Sequence, residues 1–345
     1  MRLNKKILQL EKKILKFKII ENFFKKLGYQ KINFFFLRKK EPYIIIYELN
    51  KKHKRYLPYI KRNKRAFLIC KIPWSFSKEK AVKSIKIDYA NYEKKFPKHK
   101  IIFLCNYPKQ LKLFKKFNIT SILCNHNAFL DEDIFKILPN IKKQYDAIYD
   151  AKIAKFKRHE LASKIKKICF ITYFDKKDKK YINHIYELFK NAAWFNGTKK
   201  NYRRLNPGEV SEYTNKAKVG LCLSKEEGAM FASTQYLLCG LPVVSTKSIG
   251  GREVFFDKNF VEIAKDNPDS IKKSVDKLIR KNIDPEEIRK KTLKKIKNHR
   301  KNFIRLIQEI YNKENIHKNF EKEFERLFKN KMHYWHITKV RRIKN

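Results

Sequence analysis

Residues 218–257 read Lys-Val-Gly-Leu-Cys-Leu-Ser (218–224), Lys-Glu-Glu-Gly-Ala-Met-Phe-Ala-Ser-Thr-Gln-Tyr-Leu-Leu-Cys-Gly-Leu-Pro-Val-Val-Ser-Thr (225–246) and Lys-Ser-Ile-Gly-Gly-Arg-Glu-Val-Phe-Phe-Asp (247–257). The apolar run Val219 to Leu223 has the length of a buried strand, and Glu226-Glu227-Gly228 breaks it with a turn. A helix is expected from about Ala229 to Cys239. Gly240 stands where a helix end wants positive φ, and Leu241-Pro242 forbids continuation before a second buried strand, Val243 to Thr246. Gly250-Gly251 makes another permissive loop. The stretch therefore predicts a strand, loop, helix, strand unit of an α/β protein.

A helix opening directly behind a Glu-Gly turn presents unpaired N–H groups and a partial positive charge, which suits a diphosphate. Glu227 and Gln235 lie just over two helical turns apart, so a loop-borne carboxylate and a helix-borne amide can face one ligand across the helix start. An ordinary βαβ unit with a capped helix fits the local pattern equally well.

The segment resembles the donor-binding region of family 4 glycosyltransferases of the GT-B fold. Their signature is a Glu followed after seven residues by a second Glu, then Ala-x-x-x-Gly-x-Pro-Val-Val and a Gly-Gly turn. Glu227, Gly228, Gly240, Pro242, Val243, Val244, Gly250 and Gly251 match in order and spacing, while Gln235 replaces the second carboxylate. An amide still accepts one hydrogen bond and donates another. The resemblance implies two Rossmann-like domains facing across a cleft, with a C-terminal helical segment. It also implies that Glu227 contacts the donor sugar, that Gln235 takes the ribose, and that the backbone of Gly228, Ala229, Met230 and Phe231, with the Gly250-Gly251 turn, holds sugar and phosphate. In the family a loop Arg and a Lys five residues later grip the diphosphate; Lys152 and Lys157 have that spacing, in a loop where a merely solvated role is the alternative.

Composition sets further bounds. The chain has 345 residues, room for two α/β domains, and a formal charge of +50. Such a charge ordinarily points to nucleic acid, but Lys is spread almost everywhere and no recognised nucleic-acid motif is present. It still favours anionic surfaces. Six scattered cysteines without a CxxC pair fit a reduced, cytoplasmic setting. No apolar segment reaches about 18 residues. Residues 6–27 form a basic amphipathic run with apolar side chains at steps of three or four, ended by Gly28, either docked on the core or lying on the inner face of the cytoplasmic membrane.

Strands are expected at Ile32–Leu37, Tyr43–Tyr47, Ala66–Cys70, Ile101–Cys105 and Ser121–Cys124, in a domain assigned to the acceptor. Asn125-His126-Asn127 closes the last of them, and His126 is a candidate base or acceptor contact, with a structural hydrogen-bonding role as the alternative. Asp131-Glu132-Asp133 is read as the charged start of a helix over Ile134–Leu138. A further helix is expected at about Lys157. His333 and His336 lack a third ligand, and no metal is implied. Domains are placed at 1–144, 145–300 and 301–345.

The expected protein is a glycosyltransferase, hexosyltransferase-like by resemblance, of the kind that builds cell-envelope polysaccharide. It would move a sugar from a nucleotide sugar to a glycan or lipid-linked acceptor. Family likeness implies retention of configuration without a metal, and no cofactor beyond the nucleotide-diphosphate sugar as co-substrate. The alternatives are a nucleotide-sugar-binding protein that has lost catalysis and a basic nucleic-acid-binding protein.

Overall fold

The computed structural model describes residues 29–49, 60–174, 178–198, 200–327 and 336–341. The basic run at 6–27 and His333 lie outside them. The chain divides into two compact units, one of residues 1–73, 84–103 and 334–345, the other of residues 74–83 and 104–333. These bounds differ from the division at 144/145 and 300/301 read from the sequence. Residues 301–327 belong with the second unit.

In the first unit β1 (Tyr29–Arg38) pairs antiparallel with β2 (Tyr43–Glu48), which pairs parallel with β3 (Ala66–Lys71). The β2 residues Ile44 to Tyr47 and all of β3 are buried, which is why both read as unbroken apolar runs. Helix α1 (Glu79–Lys95), which enters the first unit at Ser84, precedes β4 (His99–Cys105), whose last two residues lie in the second unit. There helix α2 (Pro108–Lys116) and β5 (Ser121–Leu123) follow.

The second unit is built on a parallel sheet. In chain order its elements are β6 (Tyr145–Asp150), β7 (Ile168–Ile171), α3 (Lys179–Leu188), β8 (Ala193–Trp194), α4 (Pro207–Asn215), β9 (Ala217–Cys222), the short β10 (Glu226–Glu227), α5 (Phe231–Leu238), β11 (Val243–Thr246), the short β12 (Ile249–Gly250), β13 (Val261–Ala264) and α6 (Pro268–Lys281). After them come the 29-residue α7 (Pro285–Lys313) and α8 (Phe320–Leu327), and β14 (His336–Arg341) returns to pair with β1 in the first unit. Strand order is β13-β11-β9-β6-β7-β8. Chain order thus reverses between β6 and β9, whose register sets Ala147 beside Val219 and Ile148 beside Gly220. A ligand crevice belongs outside the carboxyl ends of strands at such a point.

The expected strands and the helix over residues 229–239 are present within a few residues. Two expected helices are not. Residues 131–135 form a turn in which Asp131 Oδ1 accepts the Asp133 N–H at 3.0 Å and the Asp131 carbonyl accepts the Phe135 N–H at 2.9 Å. The Glu132 carboxylate is taken by Arg300 of α7 at 2.6 and 2.8 Å, so these acids serve helix docking rather than a helix start. The helix expected at about Lys157 is two short 3-10 turns, Lys155–Lys157 and His159–Ala162, because Arg158 between them adopts the left-handed conformation at φ 55°.

Glycines fix the unit at two places where no side chain fits. A Cβ on Gly220 would lie 2.2 Å from the buried Tyr236 ring, and Gly240, at φ 72°, would meet Pro285 at 2.6 Å. Helix α7 packs along the segment that follows β5: His299 Nδ1 accepts the Asn125 N–H at 3.2 Å, and Arg300 reaches the Ala128 and Leu130 carbonyls. Burial pushes His299 down to about 4, so it stays a neutral acceptor.

Candidate functional site

The carboxyl ends of β6 and β9 carry the expected residues. Tyr149 anchors the loop after β6 by donating its hydroxyl to the Lys157 carbonyl. Lys157 is consequently turned inward and buried, and its ammonium pairs with Glu227 Oε1, 70 residues away. Glu227 is buried too, and its Oε1 also accepts the Ser224 hydroxyl at 2.6 Å. Lys152 is half-buried and Lys155 exposed. The lysine and carboxylate expected to grip opposite parts of a donor therefore hold one another.

The short β10 and β12 strands position that carboxylate. They pair in parallel, Glu227 beside Gly250, and the Gly251 N–H donates to the Gly228 carbonyl at 2.6 Å. Gly250 sits at φ 126°, and a Cβ there would fall 1.7 Å from the Glu227 carbonyl oxygen. One on Gly251 would meet Asn106 at 2.7 Å. The double glycine is thus a requirement of close backbone approach.

Met230 stands before α5 at φ 51°, ψ 92°, a conformation an unbranched L-residue rarely adopts. Asn127 holds it there: its side-chain amide donates to the Ala229 and Met230 carbonyls and to the Thr234 hydroxyl at 2.8–2.9 Å. The carbonyls around the helix start are therefore occupied. The N–H groups of Gly228 to Ala232 donate to no described residue, and α5 has no side-chain cap. Gln235 is half-buried, and its side chain makes no hydrogen bond among the described residues. His126 brings its ring to 5.1 Å from Phe231, and its backbone N–H donates to Asn106 at 3.2 Å.

Two guanidinium groups tie the loop ends together. Arg252, fully buried, donates to the Ser224 and Thr246 carbonyls at 2.8 and 2.7 Å. Arg158 reaches the Leu223 carbonyl at 2.6 Å, the Thr246 hydroxyl at 2.7 Å and Asp266 at 2.6 Å. Sequence reasoning passed over both, and over Asn127, which it grouped only with His126. It also passed over Asp150, the last residue of β6. The Asp150 backbone N–H meets the Tyr236 hydroxyl at 2.6 Å, while its carboxyl accepts no hydrogen bond from a described residue. Burial pushes that carboxyl up to about 7, against the pull of Lys157. Burial and Lys157 together push His159 down to about 3.

Residues 186–299 match the family model for glycosyl transferases group 1. The match is to a third of the chain. It spans Glu227 through Gly251 and stops short of Lys152, Lys157 and His126. The matched segment thus contains Glu227, Gly228, Gly240, Pro242 and Gly250-Gly251, the residues that carry the resemblance. No curated protein sequence matches the chain. Among solved structures, Anabaena Alr3699/HepE in complex with UDP shares 9% identity and a TM-score of 0.50, covering 69% of this chain and 75% of that one. Sucrose-phosphate synthase from Thermosynechococcus elongatus shares 11% identity, covers 76% and 68%, and has a TM-score of 0.49. The fold is α/β and GT-B-like.

Proposed function

We propose that this group 1 glycosyltransferase transfers a sugar from a nucleotide-diphosphate sugar, with the diphosphate received where β6 and β9 end. The carrying observation is the coincidence of N–H groups from Gly228 to Ala232 that donate to no described residue with the buried Lys157–Glu227 pair at the point where strand order reverses. Backbone N–H groups at a helix start and fixed cations stabilise charge developing on a leaving phosphate. In this reading Lys152 and Lys157 supply the cations without a metal, and Gln235, one turn into α5, takes the ribose hydroxyls. Glu227 orients Lys157 and meets the donor sugar with its remaining oxygen. We assign the acceptor to the glycan or lipid-linked class and the stereochemistry to retention. The basic run at 6–27 supports attachment to an anionic membrane face. UDP bound to the structural neighbour HepE makes a uridine donor the first to test.

A thermal-shift panel of UDP, GDP, ADP, CMP and their sugars tests this reading. One nucleotide family at about 100 times its dissociation constant should stabilise by about 2.7 kcal/mol. Gln235→Ala should remove about 1–3 kcal/mol of that affinity. No stabilisation by any member contradicts the assignment, and tight donor binding without transfer to any acceptor favours the binding-only alternative.

Asp150 adds a pH dependence to that binding. Its carboxyl interacts electrostatically with Lys157, Tyr173 and Tyr236, and Lys157 is in turn paired with Glu227. Protonated Asp150 is neutral, so a diphosphate meets less repulsion below about pH 7 than above it. A unit charge ~10 Å away at an effective dielectric of ~20 is worth about 1.7 kcal/mol. Affinity for the sugar nucleotide, whose diester diphosphate does not titrate here, is therefore expected to fall roughly twentyfold as pH rises through about 7. Calorimetry across that range checks it, and Asp150→Asn should flatten the profile.

A further inference from the structure

Trp74 and Phe156 are 39% and 42% exposed, although rings of this size are ordinarily covered. They meet edge to face with centroids 5.9 Å apart, and the Lys157 ammonium lies 5.2 Å from the Phe156 centroid. The backbone beneath the exposed indole is held firmly. Gln110 donates to the Trp74 and Ser75 carbonyls at 3.2 and 2.7 Å, Tyr107 donates to the Ser75 carbonyl at 2.9 Å, and the Ser75 hydroxyl donates to Glu226 Oε1. Neighbouring residues of a strand point to opposite faces, so Glu226 meets Ser75, the residue after Trp74, while Glu227 meets Lys157. Glu226 Oε2 has no hydrogen-bond partner among the described residues.

We infer that Trp74 and Phe156 form a stacking platform for a pyranose ring of the acceptor, with Glu226 taking one of its hydroxyls; this rests on the donor reading above. A pyranose offers an apolar C–H face to an aromatic ring and a rim of hydroxyls to a carboxylate. Glu226 offers an acceptor to hydroxyl groups and no cation to a phosphate. The donor draws its affinity from the diphosphate. A neutral acceptor has no such handle and depends on stacking and hydroxyl contacts.

The test labels the protein with 5-fluorotryptophan, assigns the Trp74 resonance by Trp74→Phe, and titrates methyl glycosides of glucose, galactose, mannose and N-acetylglucosamine, then UDP. At least one glycoside should shift the Trp74 resonance saturably and further than UDP alone does. Phe156→Ala should weaken that glycoside about tenfold and change UDP affinity by less than about twofold. A Trp74 resonance unmoved by every glycoside, or moved as far by UDP alone, overturns the platform, as does an equal loss of UDP affinity in Phe156→Ala. UDP binding is read separately, so a silent Trp74 with intact nucleotide binding removes the platform and leaves the donor reading standing.

Discussion

Glu227→Ala and Lys157→Ala are each expected to lower the unfolding free energy by about 3–5 kcal/mol in urea titration, because each strands a buried charge without its partner. The double change Lys157→Met with Glu227→Leu should recover most of the loss, since two apolar side chains of similar volume leave no charge to desolvate. The exposed pair Lys164–Asp269 is the control, and breaking it should cost less than about 1 kcal/mol. Costs at that low level for Glu227 and Lys157 would mean that water reaches the pair. The pairing also joins two roles that the sequence suggested were separable, a sugar ligand and a phosphate ligand. Loss of Glu227 releases Lys157, so nucleotide binding is expected to feel both substitutions.

Gly250→Ala is the second large effect. Its new methyl would stand 1.7 Å from the Glu227 carbonyl oxygen at a φ of 126°. Backbone strain alone costs about 1–3 kcal/mol, and relief requires parting β10 from β12, which moves Glu227 off Lys157. Nucleotide affinity should fall by more than about tenfold while circular dichroism keeps the α/β signature. Gly208→Ala serves for comparison: it lies in the first turn of α4, where the nearest atom to the new methyl is an Asn206 side-chain oxygen at 3.2 Å. Equal behaviour of the two variants would contradict the close-approach argument.

The residues that announced this site were those whose chemistry is restrictive. Gly240, Pro242, Gly250 and Gly251 mark places where only a missing Cβ or a missing N–H will serve, and the structure gives each glycine a nearby atom or a positive φ as its reason. Charge carried no comparable signal. With 84 Lys and Arg in the chain, nothing local distinguishes buried Lys157 from exposed Lys155, and the ion pair spans 70 residues. The acidic run at 131–133 misled for the same reason, because its partner Arg300 lies 168 residues from Glu132. The helix expected at Lys157 failed on one backbone angle at Arg158, whose guanidinium is drawn to the Leu223 carbonyl and Thr246.

The central claim is that Lys157 meets a diphosphate at the helix start formed by Gly228 to Ala232. Isothermal calorimetry of UDP with the unmodified chain, Lys157→Ala and Lys155→Ala addresses it directly. A charge-assisted contact contributes about 1.5–3 kcal/mol, so Lys157→Ala should weaken UDP by roughly 10- to 150-fold, while Lys155→Ala stays within about twofold of the unmodified chain. An equal loss in both variants, or unchanged affinity in Lys157→Ala, would contradict the account.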